Sequence, residues 1–167
     1  MRRLACVCMM VLLSGCAGLL SRPPVTLYVP DAGFPAADAS AQVPWRLALS
    51  RPLANGLIAA PRILVQPVRG EIEVYPQAQW AQSPPGLIAD ALFQALEADG
   101  RIAVLDRASS GRASDFELAT ELRDFQIELD GGPQALVRIK ASLVAYPAGR
   151  IVASHVFDGR VPAAGQQ

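Results

Sequence analysis

One histidine and three cysteines are all the imidazole and thiol chemistry the chain carries. His155 lies within an alternating apolar stretch, with no nucleophile in local reach. It therefore reads as a packed, hydrogen-bonded residue rather than a general base or metal ligand. A metal centre needs several ligands of suitable type, and the cysteines do not supply them. Cys6 and Cys8 are spaced Cys-x-Cys inside an apolar run, which supports neither zinc nor redox chemistry. Asp115, Glu117, Glu121, Asp124 and Glu128 are spread along the outer side of a strand, the pattern of a solvated face. Ser109-Ser110-Gly111 lacks the strand–turn–helix setting of a nucleophile elbow. Asp130-Gly131-Gly132-Pro133 lacks the spacing and helix start of a phosphate loop. No catalytic residue is assigned, and no cofactor or metal is expected.

Cys16 stands apart. Arg2 and Arg3 form a short cationic start, and Leu4 to Leu13 is an apolar run of about ten residues, the size of a signal-peptide core. A permanent span needs roughly twenty apolar residues, so the run is too short to cross a membrane. Leu13-Ser14-Gly15-Cys16 resembles the lipobox of bacterial lipoproteins. Small side chains at Ser14 and Gly15 let extended backbone enter a peptidase, and the Cys16 thiol accepts diacylglycerol. The resemblance implies a signal peptide over residues 1–15, with Leu13, Ser14 and Gly15 as its recognition residues. Residues 16–24 become a lipidated tether, and a domain fills 25–167. Two or three acyl chains on one cysteine suffice for stable anchoring. Cys6 and Cys8 leave with the signal peptide, so no disulfide is expected although an exported chain would tolerate one.

About 150 residues remain, enough for one domain with its own core. Fifteen cations balance fifteen carboxylates, and loss of Arg2 and Arg3 leaves the remainder slightly acidic. That excludes the basic face nucleic acid requires.

The elements that position these residues follow from periodicity. Val25 to Val29 reads as a strand, at an edge because Pro30 ends it. Trp45 to Leu49, Arg62 to Pro67 and Ile72 to Tyr75 read as further strands, the last stopping at Pro76. Ser83-Pro84 opens a helix with serine as cap and proline in the first turn. Ile88, Ala91, Leu92, Ala95 and Leu96 recur at helical spacing until Gly100. Arg101 to Leu105 returns as a strand, and 106–114 as a loop. Phe116, Leu118, Thr120 and Leu122 alternate, then the phase shifts to Phe125, Ile127 and Leu129, which predicts a bulge near Arg123-Asp124. Asp130-Gly131-Gly132 and Pro147-Ala148-Gly149 turn the chain into two more strands. The pattern predicts an α+β fold: an antiparallel sheet with one amphipathic helix packed on one face. A single helix rarely covers such a sheet, which leads to the expectation of a second helix after Val161.

Trp45, Tyr75 and Trp80 flank proline-rich turns. Large aromatics usually bury most of their area, so they either cap the edge of the core or anchor a partner.

The order of the pieces resembles the ABC-type transport auxiliary lipoprotein family. It is carried by the lipobox, Tyr28 in a Leu-Tyr-Val strand, and Glu73-Val74-Tyr75-Pro76-Gln77-Ala78-Gln79-Trp80-Ala81 before the Ser83-Pro84-Pro85 helix. Asp115-Phe116-Glu117-Leu118, Leu122-Arg123-Asp124-Phe125, Phe157 and Pro162 complete it. The resemblance implies an accessory subunit without catalysis. It would accompany a permease, an ATPase and an MCE-domain protein in moving lipids or hydrophobic solutes across the envelope. It implies a periplasmic domain held by lipid to the outer membrane, since Ala17 rather than aspartate follows Cys16. It also places Tyr75 and Trp80 in the family's aromatic stretch as candidate partner contacts; a homo-oligomer stays open. One departure is visible. The family continues into a C-terminal amphipathic helix, whereas Pro162 to Gln167 ends this sequence without one, either because it is a fragment or because this member lacks the helix. A lipid-binding carrier remains the alternative reading.

Overall fold

The computed structural model describes residues 24–30, 33–34 and 42–163. Leu13, Ser14, Gly15 and Cys16 lie outside the described residues, as does the tail after Ala163.

Nine strands form one sheet among the described residues. They are β1 (Thr26–Tyr28), β2 (Val43–Leu49), β3 (Leu53–Ala54), β4 (Arg62–Gln66), β5 (Glu73–Trp80), β6 (Ile102–Arg107), β7 (Phe116–Glu128), β8 (Gln134–Ala145) and β9 (Arg150–Pro162). A four-residue helix α1 (Gly56–Ala59) precedes β4, and the long helix α2 (Pro84–Asp99) precedes β6.

β7 organises the sheet. Along one edge it pairs with β8 over its whole length, antiparallel, from Phe116 opposite Ala145 to Glu128 opposite Gln134. Its other edge is divided among three short strands, all parallel to it. β2 sets Leu47 to Leu49 against Phe116 to Leu118. β3 sets Leu53 and Ala54 against Glu121 and Leu122. β4 sets Leu64 to Gln66 against Gln126 to Glu128. β6 extends the β2 arm and β1 extends the β5 arm, both in parallel. β5 runs antiparallel to β4, and β9 antiparallel to β8.

This overturns the expected α+β arrangement of an antiparallel sheet with one helix packed on one face. Among the described residues the protein is mostly β, a curled half-barrel of mixed strand direction, with a single long helix. The C-terminal meander β7–β8–β9 is antiparallel as anticipated, because hairpin turns are local signals. Parallel contacts join segments far apart in the chain and leave no turn chemistry to read. The helix also covers less than expected: α2 lies chiefly against β6 and α1. Only its first residues, Pro84 to Leu87, are buried, and the rest is half-buried or exposed.

Local chemistry explains the boundaries. Pro84 and Pro85 fit the first turn of α2, where their missing N–H groups cost nothing. Ser83 stands at the cap but makes no side-chain cap bond; its Oγ instead accepts from Arg51 Nη2 at 2.6 Å. Gly100 closes the helix in the left-handed region at φ 67°. α1 had no counterpart in the sequence reading. Asn55 Oδ1 accepts from the Ile58 N–H at 3.2 Å and starts it, and the turn drops Ile58 into the core. The bulge in β7 sits where the alternation shifts: register passes from Leu122 opposite Ile139 to Asp124 opposite Arg138, leaving Arg123 unpaired.

The core gathers Ile58, Leu64, Leu87, Leu122 and Phe125, with Trp80, Ile88, Val137 and Ile139 partly buried against it. Burial of their apolar area contributes roughly 25 cal/mol per Å² removed from water.

Candidate functional site

The aromatic stretch singled out in the sequence is one continuous strand rather than a strand ended by a proline. β5 runs from Glu73 through Pro76 to Trp80. Proline is tolerated because the ladder is broken there. Val74 lies opposite Leu64 and Gln79 opposite Arg62, so β5 bulges away from β4 over residues 75–78. At the bulge Gln77 adopts φ 57°, a left-handed conformation rare for a residue with a Cβ. Beyond it the ladder is regained, with the Trp80 N–H donating to the Pro61 carbonyl at 2.9 Å. β1 then lies along the same segment, Thr26 to Tyr28 opposite Ala78 to Trp80.

The bulge gives the two aromatic candidates different surroundings. Tyr75 is 41% exposed, next to exposed Val74 and Ile72. Trp80 turns into the molecule and meets Phe125 at 5.2 Å between ring centroids. Its Nε1–H is buried without a hydrogen-bond partner among the described residues. Beside it lies a cleft of about 130 Å³, bordered by Ile63, Leu64, Phe125, Ile127, Val137 and Ala163. The third aromatic, Trp45, packs edge-on against Phe116 at 5.3 Å.

The second surface feature is the bare end of the meander. Register places Leu122, Ile139 and Phe157 in one row, and Ile127, Ala135 and Val161 in another. Leu122 is 1% exposed, whereas Phe157 is 58% and Val161 is 61% exposed. The apolar face covered at β7 is thus open to solvent at β9, where every residue is exposed. His155 shares that fate. It is exposed on β9 and stacks edge-on against Phe157 at 4.6 Å, so it is not the packed core histidine the alternation suggested. Alternation identifies which face is apolar, but not whether anything covers it. On the opposite face, Arg138 pairs with Asp124 at 3.0 Å and Arg160 with Glu128 at 3.3 Å.

The remaining charged clusters are latches between elements. Asp90 on α2 accepts from Gln82 Nε2 at 3.0 Å and from Arg107 Nη2 at 2.8 Å. The Gln82 bond and the Arg107 cation hold its carboxyl below the usual range. Arg107 also lies over the Phe93 ring at 4.8 Å, which ties α2 to β6. The Asp115 carboxylate accepts from the Arg46 backbone N–H at 2.8 Å and from its guanidinium at 3.3 Å. That pairing pulls the Asp115 carboxyl below its ordinary value. Among the described residues no three His, Cys, Asp or Glu side chains gather as a metal site. No helix among them is long and apolar enough to cross a membrane.

A family model described as the ABC-type transport auxiliary lipoprotein component matches residues 26–167. A crystal structure of a Xanthomonas campestris protein assigned to the DUF330 family is 33% identical. The match covers 86% of this chain and 81% of that one, with a TM-score of 0.79. A second crystal structure, of an uncharacterised protein, shares the fold at TM-score 0.62 and 14% identity, over 87% of this chain and 84% of the other. No curated protein matches the chain.

Proposed function

The chain belongs to the ABC-type transport auxiliary lipoprotein family, and from that premise we propose a non-enzymatic accessory subunit of an ABC/MCE-type system that moves lipids or hydrophobic solutes across the cell envelope. Membership itself establishes the coarser statement, an auxiliary lipoprotein component of ABC-type transport working in the envelope. The finer reading is built on it. Residues 1–15 are the signal peptide, read at Leu13, Ser14 and Gly15. Cys16 carries the lipid, 16–24 form the tether, and 25–167 form the working domain on the periplasmic face of the outer membrane. The partners are an MCE-domain protein and the permease and ATPase of the same system.

The observation that supports a contact role is the bulged strand β5. It holds Tyr75 out among exposed apolar neighbours while Trp80 fixes the strand on Phe125. Backbone held in a sparsely populated conformation persists where surrounding structure imposes it, and such positions cluster at functional sites. Tyrosine on a rigid strand suits a partner anchor, because aromatic side chains dominate interface energetics. Co-purification of the full chain from membranes in mild detergent tests the proposal. Recovery of an MCE-domain or ABC partner, lost in Tyr75→Ala, is the expected result; recovery of neither counts against it.

The apolar cleft beside Trp80 favours a second reading, a carrier that holds part of a lipid itself. Apolar cavities of about 150 Å³ stay dry and accept small apolar groups. Mass spectrometry of solvent extracts from the purified protein separates the readings: a stoichiometric lipid supports the carrier, and its absence supports the accessory subunit.

A further inference from the structure

Strand β9 pairs with β8 alone and forms an open edge of the sheet among the described residues. We propose that two copies of this chain join edge to edge through β9, antiparallel about a two-fold axis at Gly159, continuing the sheet from one copy into the other.

The backbone sets the phase. Ala163 N–H donates to the Pro133 carbonyl at 2.9 Å, so odd-numbered residues of β9 point their polar groups at β8. In an antiparallel ladder the alternate residues then turn theirs the other way. Ser154, Val156, Asp158 and Arg160 therefore present unpaired N–H and C=O groups at an edge that no other strand among the described residues occupies. Natural proteins blunt such edges with bulges and prolines. Here the devices sit at the ends. Val152 is the extra residue where register jumps from Ala153 opposite Leu143 to Ile151 opposite Val144, and Pro162 closes the strand. Ala153 to Val161 is left regular and open.

Charge selects the register. A two-fold axis perpendicular to the sheet pairs residues equidistant from it. An axis at Asp158 or Arg160 sets like charges opposite each other, and an axis at Phe157 leaves both charges facing uncharged residues. An axis at Ser154 pairs Arg150 with Asp158 only by running through the bulge. With the axis at Gly159, Asp158 of each copy faces Arg160 of the other, twice over. Phe157 then faces Val161, so the two large apolar side chains of this face cover each other, at 58% and 61% exposure before pairing. Opposite charges and aromatic–β-branched neighbours are the cross-strand pairs that stabilise sheets. Gly159 stands at the axis, and a Cβ added there meets nothing within 4 Å.

Edge pairing alone buries less than the roughly 1,200 Å² of a standard interface, so the dimer depends on concentration. The test uses the full chain in mild detergent, with molecular mass followed over a dilution series. Wild type should pass from dimer to monomer. Asp158→Arg and Arg160→Asp should each weaken self-association about tenfold or more, since both cross-pairs become repulsive. Arg160 also pairs with Glu128 of its own copy, so the decisive measurement is the mixture. Asp158→Arg combined with Arg160→Asp places opposite charges in both pairs again and should restore a heterodimer. Gly159 of the two copies forms a non-hydrogen-bonded pair, whose Cα separation of about 4.5 Å accepts a disulfide. Gly159→Cys should therefore oxidise to a covalent dimer faster than Ser154→Cys. Wild type that stays monomeric throughout, a mixture no better than its components, or equal cross-linking at the two positions would overturn the proposal.

Discussion

Trp80 and Phe125 meet at 5.2 Å between ring centroids, inclined at 60°, and this contact joins the bulged strand β5 to the central strand β7. Tilted aromatic pairs contribute beyond the area they bury. Phe125 is 9% exposed and belongs to the core cluster. Phe125→Ala should destabilise the fold by about 3–5 kcal/mol, through lost transfer energy and the cavity left behind. Urea unfolding followed by tryptophan fluorescence measures it. A cost below about 1 kcal/mol would mean that the cluster collapses around the gap.

Thr120 offers the opposite sign. It is 5% exposed and its Oγ1 is buried without a hydrogen-bond partner among the described residues. A buried unpaired hydroxyl carries a desolvation cost of about 1–3 kcal/mol. Thr120→Val keeps the shape and the β-branch, so it should raise stability by about 1 kcal/mol. An unchanged or lower denaturation midpoint would show that the hydroxyl is satisfied in solution.

Gln77 bears a conformational cost of about 1–2 kcal/mol at its positive φ. Gln77→Gly removes the Cβ clash and should stabilise the domain by up to about 1 kcal/mol, while Gln77→Val should destabilise it. Thermal unfolding of both variants gives the ordering. The proposed partner test applied to Gln77→Gly would further separate a bulge kept for shape from one kept for contact.

Stability should fall with acid through Asp115. The Arg46 guanidinium and backbone N–H hold its folded carboxyl below the ordinary aspartate value. A depressed folded pKa contributes stability above the unfolded value, near about 3.9. That contribution is lost as pH falls through the lower folded value. Asp115→Asn should therefore flatten the dependence of melting temperature on pH below about 4, and leave it unaltered near neutrality. Parallel curves for the two proteins in acid would rule out this carboxylate as a source of the slope.

What could be read in the sequence was local. The helix from Pro84 to Asp99 announced itself by proline, spacing and Gly100. The shift of phase at Arg123 announced the bulge that the register contains. Both hairpins of the meander had glycine turns. What could not be read was relational. Leu47 beside Phe116 and Leu53 beside Glu121 are parallel pairs across more than sixty residues, and nothing at either end marks the partner. Pro76 argued for a strand end because proline cannot donate to a ladder. It could not tell that the chain would bulge out from Tyr75 to Ala78 and the strand resume. Nothing in residue type or spacing distinguishes the two candidate contact residues; only packing sets Tyr75 outward and Trp80 against Phe125.

The division of one edge of β7 among β2, β3 and β4 has a consequence for how the protein is assembled in time. The arms β1–β5–β4 and β2–β6 pair with β7 but not with each other. A chain delivered N-terminus first thus holds two separate ribbons, with nothing to dock on until residues 116–128 arrive. Contacts this distant in sequence slow folding, because the closure entropy is spent before the contacts repay it. The central strand is therefore also a clock: maturation of the domain waits on its third quarter, and a binding chaperone has its longest opportunity before β7 emerges.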